Sequence, residues 1–119
     1  MGPTSLRDAF EAERAPLQER LQARANRNVK RLLSCDHACY QEGALPARQK
    51  ELLGLSASLA LRCDDCIRYH VIRCHDLGWS AAELMEAVEV AMVVGGSITI
   101  PHARRAVALL DELEAASGR

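Results

Sequence analysis

The segment CDDCIRYH, Cys63 to His70, places two thiols, two carboxylates and an imidazole within eight residues. On a helix advancing about 100° per residue, Cys63, Cys66 and His70 fall within roughly 60° of one another and share a face. Cys74 extends that face by a further turn, while Asp64 and Asp65 point elsewhere. A Cys-x-x-Cys pair at a helix start meets free backbone N–H groups and the positive end of the dipole, which favour thiolate over thiol. Such a thiolate can attack a peroxide, and the second thiol can resolve the resulting sulfenic acid before it oxidises further. His70, one turn beyond Cys66, stands where a proton can be taken or returned.

The imidazole has a candidate partner. Glu51 is the one charged side chain in the run ELLGLSASLAL, Glu51 to Leu61. If that helix turns sharply at Arg62 and the next runs antiparallel, Glu51 lies about 15 Å back from the turn and His70 about 10 Å forward, nearly level. Glu51 then reads either as a buried carboxylate orienting His70, directly or through a water, or as an exposed first-turn residue complementing its own helix dipole. The same thiols and imidazole also offer three ligands suited to zinc. Zinc Cys-x-x-Cys pairs, however, usually sit in a turn with a second ligand pair elsewhere, and the chain has no second Cys-x-x-Cys. The working assignment has no metal site and no bound cofactor. A non-enzymatic reading, a redox sensor on an oligomeric scaffold, uses the same dithiol.

The 119 residues fit one domain, 1–119, able to bury a core without disulfide staples. With 49% apolar residues and only four aromatic ones (Phe10, Tyr40, Tyr69 and Trp79), that core is expected to be aliphatic. Fifteen basic and sixteen acidic side chains nearly cancel to −1, so no global field draws nucleic acid or an anionic membrane. There is no apolar run long enough to span a bilayer, and MGPTSLRDAF lacks the basic and apolar regions of an export signal. A cytoplasmic location is the expectation, and five cysteines, an odd number, fit reduced thiols.

Periodicity and punctuation predict an all-α fold. A first helix runs from about Thr4 to Arg14, where Pro16 ends or kinks it or starts the next. One or two helices follow from Leu17 to about Gln41, with Gly43 as the stop. Pro46 suits the first turn of the helix carrying ELLGLSASLAL, whose near-absence of a polar face predicts burial on several sides. The dithiol helix closes at Gly78. Ser80 and Glu83 form a capping box for AAELMEAVEVAMVV, whose charge is confined to Glu83, Glu86 and Glu89. The apolar arc from Leu84 to Val94 is wider than one small core needs, which points to subunit contact. Gly95-Gly96 breaks this helix, Thr99 and Pro101 restart the chain, and a last amphipathic helix frays from Ser117 to Arg119.

Glu51, eleven intervening residues, Cys63-x-x-Cys66, three residues and His70 together resemble the signature of the carboxymuconolactone decarboxylase superfamily, in its AhpD-like alkylhydroperoxidase branch. The surrounding text, KELLGLSASLALRCDDCIRYHVIRCHDLG and WSAAELMEAVEVAMVVGGS, is similar to the core block of that family over Lys50 to Ser97. The resemblance implies five to seven helices assembling into a homo-oligomer, a trimer or hexamer. It implies an antioxidant dithiol peroxidase that reduces alkyl hydroperoxides and is restored by a dithiol reductant, lipoyl-like or thioredoxin-like. In that chemistry Cys66 is the buried reacting thiol, Cys63 the more accessible partner that resolves it and meets the reductant, and Glu51 with His70 a proton relay. Asp65 stands where peroxidase members carry a histidine before the second cysteine, which makes it an accessory position and shortens or alters the relay. Family members that decarboxylate lactones do not rely on this Cys-x-x-Cys, so its presence argues against the decarboxylase alternative.

The other reactive residues read as structural. Cys35 and Cys39 of CDHAC share a helix face that His37 does not, and are expected as buried small thiols with a surface histidine. Cys74 is expected to fill core space, and His75 is treated with the same caution. His102 is placed on the surface, Tyr69 and Trp79 in packing or interface roles, and DELEAASGR on a solvated face.

Overall fold

The computed structural model describes residues 5–118. Six α-helices follow one another, with no strand among the described residues: α1 (Leu6–Arg24), α2 (Arg27–Cys39), α3 (Ala47–Ala60), α4 (Asp64–Asp76), α5 (Ala81–Gly95) and α6 (Ile100–Ser117), with a short 3₁₀ turn over Ser97–Thr99 before α6. Contacts divide the chain into two compact units, the first ending at Ala47 and the second beginning at Arg48.

The first unit contains α1 and α2, neither of which buries a residue. The helix expected to end or bend at Pro16 continues through it to Arg24. On a helix that buries no residue, with Ala12 and Pro16 both exposed, solvent can take the Ala12 carbonyl that Pro16 leaves without its usual donor. The break falls instead at Ala25–Asn26, where the Asn26 side chain accepts from the Val29 N–H at 3.0 Å and starts α2. Leu17 to Gln41 therefore spans the end of one helix and all of another. Gly43 is not the stop: α2 ends at Cys39, and Tyr40 caps it. The expected start at Thr4 and end at Arg119 lie outside the described residues.

The second unit holds an aliphatic core. Leu55 and Leu59 of α3, Ile67, Val71, Ile72 and Cys74 of α4, Leu84, Val88 and Ala91 of α5, and Leu109, Leu110 and Leu113 of α6 are all buried. The capping box forms at α5, with the Ser80 hydroxyl accepting from the Glu83 N–H at 3.1 Å and the Glu83 carboxylate accepting from the Ser80 N–H at 2.9 Å. Those backbone and side-chain bonds from Ser80 hold the Glu83 carboxyl below its usual range. Helices α4 and α6 run side by side in the same direction, since their first turns meet at Asp64 and His102 and their last turns at His75 and Ser117. Gly95 ends α5 in a close approach: a Cβ there would fall 2.6 Å from Thr99 Cγ2 and 3.4 Å from the Ala60 backbone.

Two expectations about burial change. Helix α3 is buried along one side rather than several: Glu51, Gly54, Leu55, Ser58 and Leu59 face inward, while Leu53, and Leu61 just past the helix end, stay exposed. The last helix does not fray at Ser117 but reaches it, and Gly118 closes it in the left-handed region. Its tail is not wholly solvated either, because Glu114 turns inward to lie 3.9 Å from His75.

The turn between α3 and α4 is a Schellman motif built on a residue other than glycine. Arg62 adopts φ 61°, the one positive φ outside glycine among the described residues. Its N–H bonds the Leu59 carbonyl at 3.0 Å, and the Cys63 N–H bonds that of Ser58 at 3.1 Å. An L side chain in this region costs about 1 kcal/mol. Replacing it with glycine (Arg62→Gly) is therefore expected to stabilise the protein by about 1 kcal/mol. Urea unfolding at equal protein concentration, with the disulfide intact, checks this through a raised midpoint at unchanged slope.

Candidate functional site

The Schellman turn delivers the chain directly into the dithiol. Cys63 is the N-cap of α4, and its Sγ accepts from the Cys66 N–H at 3.3 Å. A sulfur thus takes the place usually filled by a Ser or Asp oxygen, at the end of the helix where negative charge is best tolerated. Cys63 and Cys66 are joined as a disulfide, with Cα atoms 5.3 Å apart, within the ordinary range for such a bond.

One turn deeper lies His70. Its Nδ1 stands 2.8 Å from Glu51 Oε2. Both side chains are enclosed, Glu51 at 3% and His70 at 7% relative exposure, so Glu51 is not the solvated first-turn residue of the alternative reading. A carboxylate only accepts, so Nδ1 donates and a neutral ring presents Nε2, on its far side, as the basic nitrogen. Arg73 Nε lies 3.6 Å from Glu51 Oε1, giving the buried carboxylate a second, cationic neighbour. The Tyr69 ring meets that of His70 edge-on, with centroids 5.3 Å apart at 77°.

The structure brings Cys63, Cys66, Glu51 and His70 into adjoining turns of α3 and α4 but alters the accessibility expected of the two sulfurs. Cys66, expected to be the buried thiol, is exposed, whereas Cys63, expected to be the accessible one, is half-buried. The cap position accounts for Cys63, whose sulfur is drawn over the first turn toward the Cys66 N–H, while Cys66 lies in that first turn, one turn nearer the helix end than the buried His70. Asp65 is exposed and pairs with Arg68 at 3.2 Å, so it joins neither sulfur nor imidazole through any contact seen here.

The remaining candidates sort by environment. Cys74 is fully buried, and burial together with the nearby charge of Glu51 pushes its thiol up to about 12. It is a packing residue. His75 is buried as well. Cys35 and Cys39 are exposed rather than buried, because α2 buries nothing. Trp79 serves in packing, donating to the Arg48 carbonyl at 2.9 Å beneath the Arg48 guanidinium, which lies 3.5 Å from the ring centroid. Among the described residues no group of three or more His, Cys, Asp or Glu side chains converges on a metal position.

His102 is not a plain surface residue. Its Nδ1 lies 2.8 Å from Asp64 Oδ1, and Arg105 Nη2 lies 3.0 Å from Asp64 Oδ2. Reading the sequence missed Arg73, His102 and Arg105. Arg73 follows His70 by three residues and so shares its face, a signal that was available. The i,i+3 pair His102 and Arg105 marks one face of α6, but nothing local ties it to Asp64.

Residues 27–109 match the carboxymuconolactone decarboxylase family. The chain belongs to that family. A crystal structure of a Thermotoga maritima carboxymuconolactone decarboxylase family protein, one suggested to take part in an antioxidative response, is 49% identical and superposes with a TM-score of 0.88 over 92% of this chain and 93% of that one. A family protein from Legionella pneumophila, 21% identical, shares the fold with a TM-score of 0.80 over 90% of this chain and 96% of that one. Protein 4 of the cox locus of Paracoccus denitrificans, itself uncharacterised, is 31% identical over 71% of this chain and 76% of its own length. The all-α fold foreseen from sequence is the fold of this family. Among the described residues no helix is long and apolar enough to cross a membrane.

The contrast between cysteines is directly measurable. At pH 8 a thiol titrating near 12 is ionised to only about one part in ten thousand. Iodoacetamide is therefore expected to modify Cys35 in the native protein while sparing Cys74, which should react only after unfolding. Peptide mapping by mass spectrometry reads both sites in one sample.

Proposed function

We propose that the Cys63–Cys66 pair is the working dithiol of a peroxidase that reduces organic hydroperoxides, with His70 and Glu51 handling the proton. The observation that carries this reading is the bonded pair of sulfurs at the α4 N-terminus, one turn from an imidazole held by a buried carboxylate. Family membership and the antioxidative role suggested for the Thermotoga protein support it.

In the reduced protein the Cys66 thiolate attacks the distal oxygen of the hydroperoxide. The O–O bond breaks, Cys66 becomes a sulfenic acid, and the alkoxide leaves as an alcohol with a proton delivered through His70. The Cys63 thiolate, eased by the Cys66 N–H and the helix end, attacks the Cys66 sulfur and forms the disulfide, and the hydroxide it displaces takes a proton from solvent to leave as water. A dithiol reductant attacks the sulfur of Cys66, the more exposed residue of the pair, and releases Cys63 as the stabilised leaving thiolate. This assigns the meeting with the reductant to Cys66, because Cys63 is the more covered of the two. Glu51 fixes the ring of His70 and offsets the charge it gains.

With cumene hydroperoxide and a dithiol reductant, the wild-type protein is expected to turn over. Cys66→Ser should fall to background, and Glu51→Gln should lose about 10²- to 10⁴-fold in rate. A wild-type rate equal to that of Cys66→Ser would remove the peroxidase reading.

We further propose that the protein assembles with copies of itself through the outer face of α5. Val90, Val93 and Val94 are exposed there, at 57%, 84% and 75%, on a helix whose inner face already meets the core. Light scattering at micromolar concentration is expected to give a mass several times 13.1 kDa. A mass equal to that value would count against assembly.

A further inference from the structure

The turn that bears the two sulfurs also bears a carboxylate. Asp64 follows Cys63 directly and is tied to α6 by both of its oxygens. The first accepts from His102 Nδ1 at 2.8 Å, and the second pairs with Arg105 Nη2 at 3.0 Å. Arg105 Nη2 also stands 3.2 Å from His102 Nδ1. A guanidinium has no acceptor, and His102 Nδ1 must present its hydrogen to Asp64, so these two donors are neighbours because the same carboxylate draws both. The cluster is a carboxylate cancelled by a guanidinium, with an imidazole donor completing it.

An uncompensated carboxylate on the residue that follows Cys63 opposes formation of the thiolate there, and any change in thiolate stability is a change in how readily the disulfide is reduced. Burial on its own raises the Asp64 carboxyl. The hydrogen bonds from His102 and Arg105, with their charge, outweigh this and hold it below its usual 3.8. Asp64 is therefore ionised at neutral pH, and its compensation depends on α6.

We propose that His102 and Arg105 act as positioning residues that set the redox poise of the Cys63–Cys66 pair, neutralising Asp64 so that the reduced form with its Cys63 thiolate remains accessible. This rests on the dithiol reading above and adds to it a charge balance supplied from a helix that carries neither sulfur. The equilibrium in question is a two-electron exchange. The Cys63–Cys66 bond breaks as dithiothreitol closes to its cyclic disulfide, and the two thiols of the reagent supply the protons and electrons.

The full-length chain is equilibrated at pH 7 with graded ratios of reduced to oxidised dithiothreitol. It is then quenched by alkylation, and the peptide containing Cys63 and Cys66 is quantified by mass. Asp64→Asn, which removes the opposing charge and leaves Arg105, is expected to shift the equilibrium about tenfold toward the dithiol. Arg105→Gln, which unmasks Asp64, should shift it about tenfold toward the disulfide, and His102→Ala by a smaller factor in the same direction. The double variant Asp64→Asn/Arg105→Gln should return to within about twofold of wild type.

A clamp that merely held the turn in place would move both single variants the same way. Shifts of like sign, or none beyond about twofold, overturn the proposal. Arg105→Lys keeps the charge but not the planar fork, and is expected to keep the wild-type equilibrium. A shift as large as that of Arg105→Gln would assign the effect to geometry and overturn the proposal even if the other variants failed to fold. Peroxide turnover is measured separately. Opposed shifts without turnover would sink the peroxidase reading and uphold the charge balance, whereas turnover with unmoved equilibria would do the reverse.

Discussion

The tight turn at Arg62 is the constraint from which the site follows. By closing α3 with two crossed backbone bonds it reverses the chain at once, so that Cys63 falls at the cap of α4 and Glu51 of α3 meets His70 of α4 at 2.8 Å. A longer or looser connection would let the two helices slide, and a shift of one turn, about 5.4 Å, would separate carboxylate from imidazole. The unfavourable left-handed conformation at Arg62 is sustained because the hydrogen bonds of the turn and the core contacts on either side overdetermine it.

Burying Glu51 has an electrostatic cost, since a carboxylate taken out of water loses several kcal/mol of solvation unless partners replace it. His70 and Arg73 supply those partners, one to each oxygen. A site so constructed is stable as a unit and sensitive to the loss of any part, because removal of one partner leaves the other charged group enclosed without compensation. The same carboxylate helps keep Cys74 as an inert thiol, so one buried charge both orients a base and quiets a neighbouring cysteine. Selectivity among the cysteines of the second unit thus comes from position: the N-terminal end of a helix for Cys63 and Cys66, and an apolar interior for Cys74.

Much of this was legible in the chain. An all-α fold follows from helical periodicity and from caps such as Ser80 with Glu83, which act over three residues and need no tertiary information. The shared face of Cys66 and His70 is a consequence of helix geometry alone, whereas Cys63, in an extended conformation at the cap, is placed by the turn before it. Local rules also failed where context outweighed them. Pro16 sits inside a helix because that helix is exposed, and Asn26 rather than Pro16 marks the next start because its side chain finds the Val29 N–H.

What residue types and spacing determined by themselves was which groups share a helix turn, because backbone geometry repeats identically along any helix. Only the tertiary structure decided which turns of different helices meet. The contact of Asp64 with His102 and Arg105 bridges about forty residues, and no periodicity within either helix encodes it. The enclosure of Glu51 and the reversed accessibility of Cys63 and Cys66 likewise depend on which side of each helix its neighbours cover. That is a property of packing, since the burial of a side chain is set by the atoms around it and not by its place in the chain.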